Sequence, residues 1–187
     1  KKWAQKGLET EYLAYDITSV SSYSELNNMV RYGYNRDGEN LSQINIAMLF
    51  GEKTRLPVYY RSLPGSIKDV STLYNFLEVA AFLNMGRLHL VMDKGFYSRK
   101  NVEELFLKHM KFTLAVPFSC DFAKEQVEKV RESITDHKNF TRVNDQNLFC
   151  TTLLTKWEQK RRIYVHVFYN ASAAAADYEM FLNRMRQ

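Results

Sequence analysis

Two aspartates stand where a charge needs a reason. Asp93 closes the run LHLVMD, and Asp16 sits inside YLAYDIT. A charge driven toward a core is costly unless it is paired or bound to a metal. Strand ends in open sheets are also where ligands meet a protein. Two carboxylates held close together repel, and one pKa rises. A divalent cation removes that conflict. Mg²⁺, with Mn²⁺ as a substitute, is held by a few carboxylate oxygens while solvent and phosphate complete its shell. The reaction such a site serves is phosphodiester hydrolysis or transfer, one ion on the attacking oxygen and one on the leaving oxygen. Each residue alone has a plainer reading. Asp16 could end a strand and cap a turn. Asp93 could cap the segment beginning at Lys94, although Gly95 and Ser98 put the helix start later.

Those side chains need elements to hold them 77 positions apart in the chain. Residues 12–18 (YLAYDIT), 44–50 (INIAMLF) and 57–62 (PVYYRS) read as strands joined by polar links, an antiparallel meander. Asp69 then caps a helix in which Val70, Leu73, Leu77, Ala80 and Ala81 recur at helical spacing. That helix runs to about Met85, and Gly86 stops it. Residues 88–92 are a fourth strand, Ser98 caps a second helix, and 112–117 (FTLAVP) is a fifth strand. The order is β-β-β-α-β-α-β. After Asp121 a basic helical stretch to Ile134 leads into the loop DHKNFTRVNDQN. Two strands follow, 148–154 and 162–170, and then a helix opening in AAAADYEMFLNRMR.

Composition sets the outer bounds. The chain has 187 residues, 45% hydrophobic and 25% charged, a globular profile. Its charge of +5 permits a polyanionic partner without demanding one. Cys120 and Cys150 form no CxxC, and a reducing compartment is the simplest reading. No apolar run approaches the roughly 18 residues of a spanning helix, so no membrane partner is expected. The chain opens on Lys1 and closes inside a helical pattern, so a piece of a longer protein is expected.

Three antiparallel strands, a helix, a strand, a helix and a strand is the order of an RNase H-like mixed sheet, in which the first and fourth strands lie side by side. The fold class expected is α/β, with residues 1–118 as the first part of such a core and 119–187 as a β-rich insertion that ends in a truncated helix. Four blocks carry a closer likeness: YDITSVSSYS, RYGYNRDGENLSQINIAMLF, LPVYYRSLPGSIKDVSTL and LVMDKGFYSRKNVEEL. They resemble the catalytic core of DDE insertion-sequence transposases, the bacterial group with a strand insertion before the last catalytic helix. The resemblance implies Mg²⁺-dependent cleavage and joining of double-stranded DNA at transposon ends and target. It also implies a dimer in the DNA complex, and a bacterial, cytoplasmic protein that is nucleoid-associated when bound to DNA. Asp16 and Asp93 match the first two acids of the family's triad. Asp69 matches a frequently acidic position and is read as a helix cap that supports the ligands from behind.

The sequence departs from the family at the third acid. That glutamate belongs to a pattern Tyr-x2-Arg-x3-Glu-x6-Lys, and no tyrosine after residue 150 starts one. Three residues after Tyr164, Tyr169 and Tyr178 stand Val167, Ser172 and Phe181. Glu179 has the wrong neighbours. The glutamate is expected beyond Gln187, and the chain by itself is expected to be inactive. Lys94, Arg99 and Lys100 follow Asp93 closely and could hold phosphates, or else decorate a solvated helix start. Phe96 is read as core. In KWEQKRR, Lys160 and Arg161 could touch a DNA backbone and Trp157 could serve as a wedge or platform; a solvated turn is the plainer reading. The four histidines show no ligand spacing, and His89 is read as a satisfied core residue. Two other functions remain open: an RNase H-like nuclease or resolvase acting on another nucleic acid, and a non-catalytic remnant that only binds DNA.

Overall fold

Alternation along the first strand decides which side of the sheet is core. In β1 (Tyr12–Ser21), Leu13, Tyr15 and Ile17 are buried, while Ala14, Asp16 and Thr18 are exposed. The computed structural model describes residues 12–34, 40–82 and 89–186 and divides after Pro117 into two compact units. In the first, β1 pairs antiparallel with β2 (Gln43–Gly51), and β2 pairs antiparallel with β3 (Pro57–Pro64). On its other side β1 runs parallel to β4 (His89–Met92), which runs parallel to β5 (Lys111–Leu114). The mixed sheet therefore has the order β3-β2-β1-β4-β5, the RNase H-like order expected from the sequence.

Two helices cover one face of this sheet. Leu73, Phe76 and Leu77 of α1 (Asp69–Phe82) and Leu105 of α2 (Arg99–Leu107) pack with Leu13, Tyr15, Ile17, Leu49 and Leu90. Tyr15 is the hinge of this core, with Phe76 stacked at 4.6 Å and Phe96 at 5.0 Å between ring centroids. Phe96 is fully buried. α1 begins at Asp69 itself, so that residue is the first of the helix and not the one before it; its side chain, and the expected end of the helix at Met85 and Gly86, lie outside the described residues. The buried face of β2 turns polar toward its start. The Gln43 and Asn45 amides donate to the Gly65 carbonyl at 3.2 and 3.3 Å, and Asn45 also to Ile67 at 3.1 Å. Arg31 and Gln43 exchange backbone hydrogen bonds of 3.0 Å, which anchors the chain after β1 to the same corner.

The second unit holds α3 (Asp121–Glu128) and an antiparallel sheet of β6 (Phe140–Val143), β7 (Gln146–Trp157) and β8 (Arg161–Tyr169), in the order β6-β7-β8. Helix α4 (Ala171–Met185) follows, with the Asn170 side chain accepting from the Ala173 N–H at 3.1 Å. Two expectations change here. The helix that was to reach Ile134 ends at Glu128; turns follow, which bury Val130 and Ile134. The loop DHKNFTRVNDQN contains β6, because Asn144 and Asp145, at φ 47° and 62°, make a tight reversal onto β7. Among the described residues no helix is long and apolar enough to cross a membrane.

Candidate active site

The open face of the five-stranded sheet carries both aspartates. Tyr15 and Met92 are paired across the parallel β1/β4 ladder, and both are buried. Asp16 follows within β1, and Asp93 is the first residue past the end of β4. Asp93 keeps extended backbone, φ −79° and ψ 176°. Alternation puts the exposed Asp16 on the uncovered face, and the extended backbone of the exposed Asp93 carries the same parity on from β4, the strand about 4.8 Å from β1. The strand after Asp16 continues to Ser21, which puts this residue in mid-strand and not at a turn.

Each carboxylate is held by the main chain next to it. Asp16 Oδ1 accepts the Ile17 N–H at 2.8 Å, and Asp93 Oδ1 accepts the Gly95 N–H at 2.8 Å. Asp93 thereby caps a single 3₁₀ turn, Lys94–Phe96, and α2 starts after its own cap, Ser98, whose Oγ accepts from the Asn101 N–H at 3.1 Å. Asp16 shares its depression with Ala14, Thr18, Ile46, Met48 and Phe50. The wall is therefore apolar around an acid.

Hard oxygen donors on one face suit a divalent cation of the Mg²⁺ class, which accepts one or two carboxylates and keeps several waters. The two aspartates fit as part of such a shell. Among the described residues no group of three or more His, Cys, Asp and Glu that could hold a metal ion comes together.

Around this pair, Lys94, Arg99 and Lys100 are all exposed. Lys94 belongs to the 3₁₀ turn and Arg99 opens α2. Lys100 Nζ lies over the Tyr74 ring, 5.7 Å from its centroid, which ties it to α1. His89 is not in the core. It is half-buried on the open side, its ring 4.6 Å from that of Tyr12, with Nε2 2.8 Å from the Thr113 hydroxyl. Burial, and after it the charge of Lys111, holds its pKa below the usual value.

One residue with a clear part in the geometry escaped the sequence reading. Asn101 is buried, and its Nδ2 donates to the carbonyls of Phe96 at 2.8 Å and Val70 at 2.9 Å. It fastens the turn after Asp93 to the first turn of α1. The signal was present as Ser-x-x-Asn at a helix start, a polar side chain on the inward side of α2.

In the second unit, Trp157 is buried, 6% exposed, with its ring 5.2 Å from Phe122 in a T-shaped contact. In that position the indole packs and offers no surface to a base. Lys160 and Arg161 are exposed at the β7–β8 reversal.

The family described as "Transposase DDE domain" matches residues 8–177. The chain belongs to this family of DDE transposases. Among solved structures the transposase chain is similar to a piggyBac transposase synaptic complex with hairpin DNA, at 13% identity and a TM-score of 0.41, covering 83% of this chain and 32% of that one. It is also similar to a pre-cleavage Mos1 transpososome, at 10% identity and a TM-score of 0.39, covering 73% and 46%. It spans about a third to a half of the length of those structures. No curated protein matches the chain.

Proposed function

We propose that this transposase chain is part of the catalytic core of a DNA strand-cutting and strand-joining enzyme, and that Asp16 and Asp93 are the first two acids of its site. The observation that supports this best is their neighbouring register on one open sheet face. Residues 1–118 then supply the core and 119–187 the inserted region. Bacterial insertion-sequence origin, a cytoplasmic location and a dimer on paired transposon ends belong to the same reading.

Asp16 and Asp93 would hold Mg²⁺, or Mn²⁺ in its place. When bound, the ions would supply charge neutralisation and oxygen activation for in-line displacement at phosphorus. The chain's own part is positioning. Asp16 is fixed by a rigid central strand. Asp93 is fixed by the Gly95 N–H and, behind it, by Asn101. Lys94 and Arg99 offer positive charge beside the pair, where a DNA phosphate would lie. The third acid is supplied from outside these 187 residues, because none of them fits the family's glutamate pattern.

The test is made on a transposase that contains this chain. Asp16→Asn and Asp93→Asn should each abolish Mg²⁺-dependent cleavage of end DNA and leave DNA binding near wild type. Cutting near the wild-type level by either variant overturns the assignment. The 187-residue chain alone should be catalytically silent.

A further inference from the structure

β7 and β8 contain Lys156, Arg161 and Arg162 and no carboxylate. Their antiparallel register pairs Thr152 with His166, Leu154 with Tyr164 and Lys156 with Arg162. These residues share one face of the small sheet, and Phe168 extends it. Trp157 has the opposite parity and packs toward Phe122 of α3. The shared face is open: Leu154 is 59% exposed, Tyr164 71% and Phe168 60%. Large apolar side chains left together in water mark a contact surface.

The order of side chains says what kind of contact. Along β8 the open positions read Arg162, Tyr164, His166, Phe168, so three rings follow one cation at steps of about 6.8 Å. Lys156 doubles the positive charge at the head of the row. The Thr152 hydroxyl, 2.8 Å from His166 Nδ1, steadies the middle ring. Aromatic rings and arginine also occur in protein interfaces, but lysine is depleted there, and Lys156 heads this row. Rings for base faces and cations for the backbone are what a single nucleic-acid strand requires.

We propose that this face of the β6-β7-β8 sheet binds a single-stranded stretch of DNA, with bases on Tyr164 and Phe168 and phosphates at Lys156 and Arg162. The proposal rests on the reading of this chain as a DNA-acting transposase and names where unpaired DNA would lie.

The experiment is fluorescence anisotropy on the 187-residue chain with a labelled 16-nucleotide single strand and with the same sequence as a duplex. Tyr164→Ala and Phe168→Ala should each weaken single-strand binding about tenfold or more and leave duplex binding unchanged. Tyr164→Phe should keep the affinity, which separates lost stacking from lost folding. Lys156→Gln and Arg162→Gln should each lower the salt slope by about 0.7. Wild-type single-strand affinity in the alanine variants overturns the proposal. So does equal loss for both DNA forms. A fall in self-association by sedimentation, with DNA affinity intact, assigns the face to a second copy and overturns it too. Cleavage of end DNA by a transposase that contains this chain, with Tyr164→Ala and Phe168→Ala binding the single strand normally, removes this inference and leaves the catalytic reading standing. Strand binding through this face, with a transposase that contains this chain inert on end DNA, does the reverse.

Discussion

Asn101 Nδ2 lies 2.8 Å from the Phe96 carbonyl oxygen, and through that bond a buried amide holds the turn that begins at Asp93. The same Nδ2 reaches the Val70 carbonyl at 2.9 Å. One side chain thus joins the end of the fourth strand to the starts of both helices that cover the core.

Asn101→Ala removes both donors; the Val70 carbonyl, inside α1, keeps its helical partner, while the Phe96 carbonyl loses the Asn101 bond. A buried orphan costs about 1–3 kcal/mol, so a loss of at least about 1 kcal/mol is expected in urea unfolding, with an unchanged m-value. In an active transposase the variant should also cut more slowly, because Asp93 loses the support of its turn. A midpoint within 0.5 kcal/mol of wild type, on the scale of a neutral surface change, would remove Asn101 from this role.

The acidic pair makes a second prediction, readable without catalysis. An ion that binds only the folded state stabilises it by RT ln(1 + [L]/Kd), about 1.4 kcal/mol at ten times Kd. For a chain of this size that raises Tm by about 3–6 °C. Mn²⁺ should therefore raise the melting temperature of the wild-type chain, and Asp16→Asn or Asp93→Asn should erase the rise. An equal rise in all three proteins would mean that the ions bind elsewhere.

How much of this was legible in the sequence depended on how local each signal was. The β-β-β-α-β-α-β order could be read because Leu13, Tyr15 and Ile17 alternate with exposed residues and α1 repeats its apolar positions every three or four residues. The pairing of Tyr15 with Met92, the residues before Asp16 and Asp93, is a tertiary fact; only the topology, and the family likeness behind it, could bring positions 77 apart together. β6 was missed because its four residues, FTRV, are polar enough to pass for loop, and its Asn-Asp reversal lacks the glycine that usually announces a hairpin. Trp157 looked like a display residue because its neighbours are charged; burial came from Phe122, 35 residues earlier, which no local pattern reveals.

His89 carries the pH prediction. Its pKa in the fold lies below the ordinary 6.5, from burial first and from Lys111 second. Below 6.5 the unfolded chain takes up the proton more readily than the folded one. The unfolded state then binds more protons, and stability falls as pH is lowered from 6.5 through the folded-state pKa. Urea midpoints between pH 7.5 and pH 5 should show this loss, and His89→Gln should reduce it. Lys111→Met should raise the His89 pKa in an NMR titration. A pKa at or above 6.5 in the wild-type fold would contradict the geometry.

The β7–β8 reversal is strained, and that strain can be measured. Glu158 and Gln159 sit at φ 46° and 57°, with the Lys160 N–H donating to the Trp157 carbonyl at 3.0 Å. Two consecutive left-handed residues are the geometry that Asn-Gly satisfies at least cost in a hairpin, whereas side chains such as Glu and Gln resist it by about 1 kcal/mol each. Glu158→Asn with Gln159→Gly should therefore stabilise the second unit by roughly 1 kcal/mol, because glycine also gives back some chain entropy. Thermal unfolding is the measurement, and an unchanged or lower midpoint would mean that the reversal is not strained. If the natural pair is kept for the cations it presents, Lys160 and Arg161, the stabilised variant should keep its DNA affinity, since both lie outside the two changed positions. A loss of affinity would show that the shape of the reversal itself, and not only its charge, takes part in binding.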